Sequence, residues 1–367
     1  MTDNTDIVGQ GDARNRRSLI LTEMQYRVLE LCKAMTRFAI LGSAGCGKTF
    51  VALEQARRRS AAGDRVLILC YNRGIAEYLK RQVENFAPNE QASMVTTFQS
   101  LPFKLGVHIE IHDNREFWET DIPNILLAHL TSTNEIEKFD TIIIDEAQDF
   151  LPIWWDVVLA LLKHRETGRI YAFGDQRQGI FQSSMSIPLE LANLHLDQNV
   201  RNSLPIAELA SHFISDPIHL IGLDGPRVIY RECPENEAIE MADKYVVELS
   251  QTGWGTGDVA VLTTGSRHKI HKDLVEGANR VEYWEGYFES DTVFYSTVFG
   301  FKGLERRVVI LTLNGWKENA NKKEIFYTGV TRARDLLIIC GSSEDLRMVA
   351  GKVAWKKLSS SDSNDEH

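Results

Sequence analysis

The tightest constraint on this chain is the octapeptide Gly42-Ser-Ala-Gly-Cys-Gly-Lys-Thr49, which lies between an apolar run, Phe38-Ala-Ile-Leu41, and a helix-forming run, Phe50-Val-Ala-Leu-Glu-Gln-Ala-Arg57. The order strand, glycine loop, helix is that of a parallel α/β unit, and the loop satisfies G-x-x-x-x-G-K-[ST] at every fixed position. Glycines allow successive backbone N–H groups to close around an anion, and the helix N-terminus adds its partial positive charge. Lys48 is placed to reach β- and γ-phosphates and the Thr49 hydroxyl to ligate Mg²⁺. The segment therefore predicts a nucleoside triphosphate site built from Gly42, Ser43, Ala44, Gly45, Cys46, Gly47, Lys48 and Thr49.

A second segment answers the first. Thr141-Ile-Ile-Ile-Asp-Glu-Ala-Gln-Asp-Phe150 is a β-branched run that ends in adjacent carboxylates, Asp145 and Glu146. In an open α/β sheet ligands gather at the carboxyl edge, so a buried strand here delivers a metal-binding acid and a general base. Around these segments apolar strands alternate with amphipathic helices. Strands are predicted at Phe38–Leu41, Val66–Cys70, Met94–Thr97, Thr141–Ile144 and Arg169–Phe173, and helices at Lys48–Arg59, Ile75–Glu84 and Trp154–Lys163. That pattern is a parallel sheet covered on both faces. After Arg201 a second series follows: helix Ala238–Leu249, strands Val259–Leu262, Thr292–Ser296 and Arg307–Leu313, helix Ile325–Ala333 and strand Leu336–Cys340. Asn202-Ser-Leu-Pro205 reads as the hinge between two α/β domains that share no sequence repeat.

Composition narrows the class. At 367 residues, 43% hydrophobic and 25% charged, the chain has the make-up of a soluble globular protein of two or three domains. No apolar run approaches the roughly 18 residues of a membrane span, and the polar start Met1-Thr-Asp-Asn-Thr-Asp6 argues against a signal peptide. Five scattered cysteines (32, 46, 70, 233 and 340) suit reduced thiols in a cytoplasmic setting and offer no zinc spacing. The net charge of −10, three of it from the tail after Leu358, leaves no broadly basic face, so any nucleic acid must bind in a localised groove. Trp154-Trp155, Trp118 and Trp284 are assigned to core packing rather than base stacking.

The order of further motifs resembles superfamily 1 helicases of the UvrD/Rep type over residues 18–342. The resemblance implies two tandem RecA-like P-loop NTPase domains with parallel sheets. These would occupy 17–201 and 202–357, with a disordered lead-in at 1–16 and an acidic tail at 358–367. In that comparison Gln25 reads adenine. Leu67-Ile-Leu-Cys-Tyr-Asn-Arg73 is similar to the segment that touches the DNA backbone, and Thr96-Thr-Phe-Gln-Ser-Leu101 to the Thr-Phe-His-Ser motif. Phe173-Gly-Asp-Gln-Arg-Gln-Gly-Ile-Phe181 matches the coupling motif, in which Gln178 senses the γ-phosphate. Asn199-Val-Arg201 sends an arginine to that phosphate. Ser296–Glu305, with Gly303 in its Lys-Gly-Leu-Glu signature, brings Glu305 to the ribose. Tyr327-Thr-Gly-Val-Thr-Arg-Ala-Arg334 supplies a second arginine, Arg332. The implied catalytic set is Lys48, Glu146, Gln178, Arg201 and Arg332, with ATP and Mg²⁺ (on Thr49 and Asp145) as cofactors. Nucleic-acid candidates are Asn72, Arg73, Thr97, Phe98, Phe181 and Thr297.

The departures from the family fall on the nucleic-acid face: Gln99 stands for a common histidine, Ser183 for a base-stacking aromatic, and Phe299 for another histidine. Val200 replaces an adenine-stacking tyrosine. About 45 residues separate Ser100 from Asp145, and about 95 separate Arg201 from Thr297, spans in which the large family members insert accessory domains. The expectation is a compact ATP-dependent single-stranded DNA translocase or helicase in repair, recombination or defence. Its alternatives are an RNA translocase and a nucleotide-gated regulatory subunit that acts on a protein partner such as a nuclease.

Overall fold

The computed structural model describes residues 22–110, 112, 114, 116–132, 136–175, 191–213, 219–221, 224–276, 280–289, 292–318 and 320–359. Contacts divide the chain into two compact units. One holds Leu21–Gly42 and Gly47–Leu196; the other holds Ser43–Cys46 and the chain from Asp197 onward.

In the first unit α1 (Glu23–Ala34) and β1 (Arg37–Gly42) lead into the glycine loop and α2 (Lys48–Ala61). Then come β2 (Val66–Cys70), α3 (Arg73–Glu84), β3 (Met94–Thr97) and a single turn, α4 (Leu101–Lys104). The unit closes with α5 (Ile122–Ser132), β4 (Thr141–Ile144), α6 (Pro152–Leu161), β5 (Arg169–Gly174) and β6 (Ala192–Leu196). The six strands form one sheet in the order β3-β2-β4-β5-β1-β6, and every pairing is parallel. Alternate residues of a strand face opposite sides of a sheet. Val66, Ile68 and Cys70 on one side, and Leu67 and Leu69 on the other, are all 0% exposed, so both faces are covered. One face packs on Ile122, Leu126, Trp154, Val157 and Leu161 from α5 and α6.

The second unit contains β7 (Gln198–Asn199), α7 (Leu204–Ser211), β8 (His219–Leu220), β9 (Ile229–Glu232), α8 (Ala238–Gln251) and β10 (Val259–Thr263). It continues through α9 (Lys269–Glu276), α10 (Arg280–Glu289), β11 (Phe294–Thr297), β12 (Arg306–Thr312), α11 (Lys322–Val330), β13 (Ala333–Gly341) and α12 (Ser343–Ser359). Its main sheet, β11-β10-β12-β13-β9, is again parallel throughout. Two such sheets in one chain make tandem RecA-like units. No helix among the described residues is long and apolar enough to cross a membrane.

The structure corrects three local expectations. The helix expected through Ala333 ends at Val330, and Ala333 opens β13 instead. The Arg332 side chain folds back onto the Thr328 carbonyl at 3.0 Å, which closes the helix at that turn. The hinge expected at Asn202-Ser-Leu-Pro205 is an anchored segment. Asn202 and Ser203 are fully buried, with Asn202 donating to Thr331 O and Ala333 O, and Ser203 to Arg334 O and Asp335 O. The edge strands β6 and β9 were not expected at all.

The position of β4, which carries the paired acids, is tied to the α2–β2 turn through Asp64. Arg59 donates to both of its carboxylate oxygens at 2.8 and 2.7 Å, and the hydroxyl of Thr141, the first residue of β4, also donates to it. Burial alone would raise the Asp64 pKa; the bonds from Arg59 and Thr141 outweigh it and hold the carboxyl below the usual aspartate range. A folded pKa below the unfolded one gives stability that is complete above the ordinary aspartate value and is lost as pH falls through the depressed one. Asp64→Ala is therefore expected to cost about 1–3 kcal/mol at neutral pH. The gap to the unaltered protein should narrow as denaturant melts are repeated at successively lower pH.

Candidate functional site

Within the first unit the glycine loop leaves β1 at Gly42 and enters α2 at Lys48. Gly47 is the N-cap of α2 and has a φ of 81°, a left-handed conformation that L side chains rarely adopt. A Cβ there would also collide with Nε2 of Gln25. Gln25 is buried and fixed by a reciprocal capping box: its N–H donates to Thr22 Oγ1 at 3.2 Å and the Thr22 N–H donates to its Oε1 at 2.9 Å. Its amide nitrogen is thereby set against the loop. Lys48 is also buried, and its ammonium donates to the Gly42 carbonyl at 2.8 Å.

β4 ends one residue before Asp145. The Thr49 hydroxyl, from the start of α2, donates to Asp145 Oδ2 at 2.9 Å, so the loop and the acidic strand end meet through this pair. Asp145 is 1% exposed. Burial first, and the charge of neighbouring Glu146 second, push its pKa up to about 7, against the opposing effects of Thr49 and Lys48. A hydroxyl and a carboxylate are hard oxygen donors of the kind Mg²⁺ takes in sites completed by phosphate oxygens and water. The pair fits that ion. Among the described residues no group of three or more His, Cys, Asp or Glu gathers to hold a metal in any other way.

Glu146 is the one non-glycine residue with positive φ among those described, at 57°. Such a conformation is costly for a residue with a Cβ and persists where its surroundings over-determine it. Here they do. Gln148 Nε2 donates to Glu146 Oε2, and Gln148 Oε1 accepts from the backbone N–H of Asp175, at the end of β5, at 3.0 Å. Glu146, Gln148 and Asp175 are all buried. Gln148 and Asp175 did not figure among the residues singled out from sequence, although both lie inside quoted motifs.

The second unit holds a separate constellation. Ser43–Cys46 belong to this unit, where Asn199 Nδ2 donates to Ala44 O at 3.2 Å and Val200 N donates to Gly45 O at 3.1 Å. Gly45, with φ 81°, has no room for a side chain: a Cβ would lie 2.5 Å from Asn202 Oδ1 and 2.6 Å from Asn199 Oδ1. Ser43, Ala44 and Cys46 are buried. Arg201 follows this contact and donates from Nη1 to Glu305 Oε2 at 2.8 Å and from Nη2 to Thr331 O at 3.0 Å. Arg332, 2% exposed, donates to Thr328 O, Leu304 O and Thr331 Oγ1 at 3.0, 3.2 and 3.1 Å. Gly303 ends the turn that delivers Leu304 and Glu305 to the start of β12. The arginine-bearing elements therefore converge at the amino ends of β12 and β13.

Two protein-family models match the chain: an AAA domain over residues 26–184 and a UvrD-like helicase C-terminal domain over residues 292–340. Together these two matches support a superfamily 1 chain of the UvrD/Rep type. No match was found among curated proteins. Solved structures similar to it include the helicase of PRRSV, with 14% identity, a TM-score of 0.47, and coverage of 85% of this chain and 53% of that one. They also include arterivirus nonstructural protein 10, a helicase, at 14% identity, TM-score 0.47, and 85% and 61% coverage. Its complex with DNA matches at 13% identity, TM-score 0.45, and 86% and 63% coverage. This chain spans 53–63% of the length of those helicases.

In this UvrD/Rep-type chain the nucleic-acid candidates are scattered in role. Phe98 is a correction: it is fully buried and stacks on Trp154 with ring centroids 4.0 Å apart and planes within 2°, flanked edge-on by Phe150. It is a core residue and has no face left for a base. Thr97 is buried, donating to Ser100 Oγ and accepting from Ser100 N. Asn72 caps α3 by accepting from Gly74 N at 2.9 Å, and Arg73 beside it is exposed. Thr297 repeats the Thr97 turn in the second unit, accepting from Gly300 N at 3.1 Å. Gln178, Phe181 and Ser183 lie outside the described residues. Phe98→Ala is accordingly expected to cost about 3–5 kcal/mol of stability, as for other buried aromatics. Arg73→Ala should change stability by no more than about 0.5 kcal/mol, and thermal melts of the two variants compare them directly.

Proposed function

We propose that this chain is an ATP-dependent translocase on single-stranded DNA that hydrolyses ATP at its glycine loop. The observation that carries the hydrolytic half of this reading is the Thr49–Asp145 bond at 2.9 Å with Glu146 held beside it by Gln148. Thr49 and Asp145 would hold Mg²⁺, which when bound neutralises charge on the phosphate oxygens. Glu146, held by Gln148, then has the general base's part and takes the proton of the attacking water. Lys48 steadies the β- and γ-phosphates and Gln25 orients the base. The family's motif order assigns Arg201 and Arg332 to the transferring phosphoryl group, where an arginine is worth about 10³–10⁵ in rate. It assigns Glu305 to the ribose and the region of Asn72, Arg73 and Thr297 to the strand. All five cysteines are buried, and their scattered, unpatterned placement supports a reducing, cytoplasmic setting.

A second reading, a nucleotide-gated subunit that signals to a protein partner such as a nuclease, gains support from the burial of Phe98, since stacking platforms contribute about 1–3 kcal/mol per base to single-strand grip. Hydrolysis of ATP measured alone, with single-stranded DNA and with RNA separates the readings. Stimulation by DNA is expected, and a rate unmoved by either nucleic acid would sink the translocase. Glu146→Gln is expected to bind ATP normally and hydrolyse it at least about 10²-fold more slowly, as befits loss of a general base.

A further inference from the structure

Glu305 holds two guanidinium groups at once. Its Oε2 accepts from Arg201 at 2.8 Å, and its Oε1 accepts from Arg334 Nη1 at 3.3 Å. The three side chains are partly buried, at 19%, 32% and 21% exposure for Arg201, Glu305 and Arg334. The backbone beneath the carboxylate is pinned: Tyr287 donates its hydroxyl to Glu305 O at 2.9 Å, and the Arg306 guanidinium lies 4.0 Å over the Tyr287 ring. Only the side chain of Glu305 is therefore free to exchange partners. Burial would raise its pKa, but Arg201 and Arg334 outweigh that and hold it below the usual glutamate range.

This division of one carboxylate has a chemical consequence. An arginine that takes both oxygens of a carboxylate forms the strong, two-pronged pair. Arg334 takes Oε1, while Arg201 bonds only Oε2 and places its second prong on the Thr331 carbonyl. A group bound at a single carboxylate oxygen is more readily drawn to a newly arrived polyanion than one bound at two.

We propose that Arg334 is a positioning residue for hydrolysis: by holding Oε1 of Glu305 it keeps Arg201 singly bound and available to the γ-phosphate. The inference rests on the reading of Arg201 as the phosphate-directed arginine. Without Arg334, Glu305 offers both oxygens and traps Arg201. Without the carboxylate there is no trap, and Arg334 becomes dispensable.

The test measures steady-state ATP hydrolysis at saturating ATP for the full chain and for Arg334→Met, Glu305→Gln and the double variant, with thermal melts alongside. Arg334→Met should lower kcat about tenfold while leaving the KM for ATP within about twofold, the pattern of an interaction used in the transition state rather than in ground-state binding. The double variant should regain most of that kcat, whatever Glu305→Gln does to KM. Arg334→Lys, which still neutralises Oε1, should keep at least half of the original kcat. A double variant no faster than Arg334→Met overturns the proposal. So does an Arg334→Met whose loss of activity is matched by a fall in melting temperature that Arg334→Lys shares. If the unaltered chain hydrolyses no ATP, or if Glu146→Gln leaves the rate intact, the hydrolytic reading itself fails. Active protein without rescue removes only the role of Arg334.

Discussion

Asp145 and Glu146 stand side by side and almost wholly out of water at the carboxyl end of β4. Neighbouring carboxylates in such a place lose hydration and repel one another. The groups around them answer that repulsion one at a time: the Thr49 hydroxyl on Asp145, the Lys48 charge nearby, and the Gln148 amide on Glu146. Each of these groups is brought there by a separate piece of the fold. Thr49 and Lys48 come from the first turn of α2, and Gln148 is locked in turn by the backbone at the end of β5. Remove the paired acids and the positions of these elements lose their common purpose.

The second unit is organised around the opposite sign. Arg201, Arg332 and Arg334 gather about the turn that ends in Glu305, one carboxylate among three guanidinium groups. Positive charge in excess of its local counter-ion is costly to keep partly buried. A site of this kind is suited to receive an anion, and its arginines reach it from two segments, one carrying Arg201 and the other both Arg332 and Arg334. Arg201 lies 104 residues from Glu305, and Arg334 lies 29 away.

Most of the sheet was legible because its central strands are short runs rich in apolar and β-branched residues, buried on both faces, as in Thr141–Ile144 and Val66–Cys70. Of the four edge strands, β3 and β11 were legible and β6 and β9 were not, because these two are partly solvated. In Ala192–Leu196 burial alternates and asparagine and histidine interrupt the run, while Ile229–Glu232 ends in charge. The glycine loop and the acidic strand end were legible as local motifs, and their meeting through Thr49 and Asp145 follows from strand order. Side-chain direction was beyond reach. Phe98 lies one residue past a strand, and only the tertiary fold turns it into the aromatic core against Trp154. The sharing of Glu305 between Arg201 and Arg334 was equally hidden, since it depends on strands brought together by the second sheet.

The left-handed backbone at Glu146 sets fold and chemistry at odds. Glycine and asparagine adopt that conformation with least strain, yet either would remove the carboxylate held by Gln148. Selection for thermal robustness alone would drift toward those residues at this position, and selection for turnover would drift back. A chain that keeps glutamate at 146 carries a small, permanent deficit in stability at the centre of its sheet edge. Ancestral or consensus stabilisation of this protein has to leave that deficit in place.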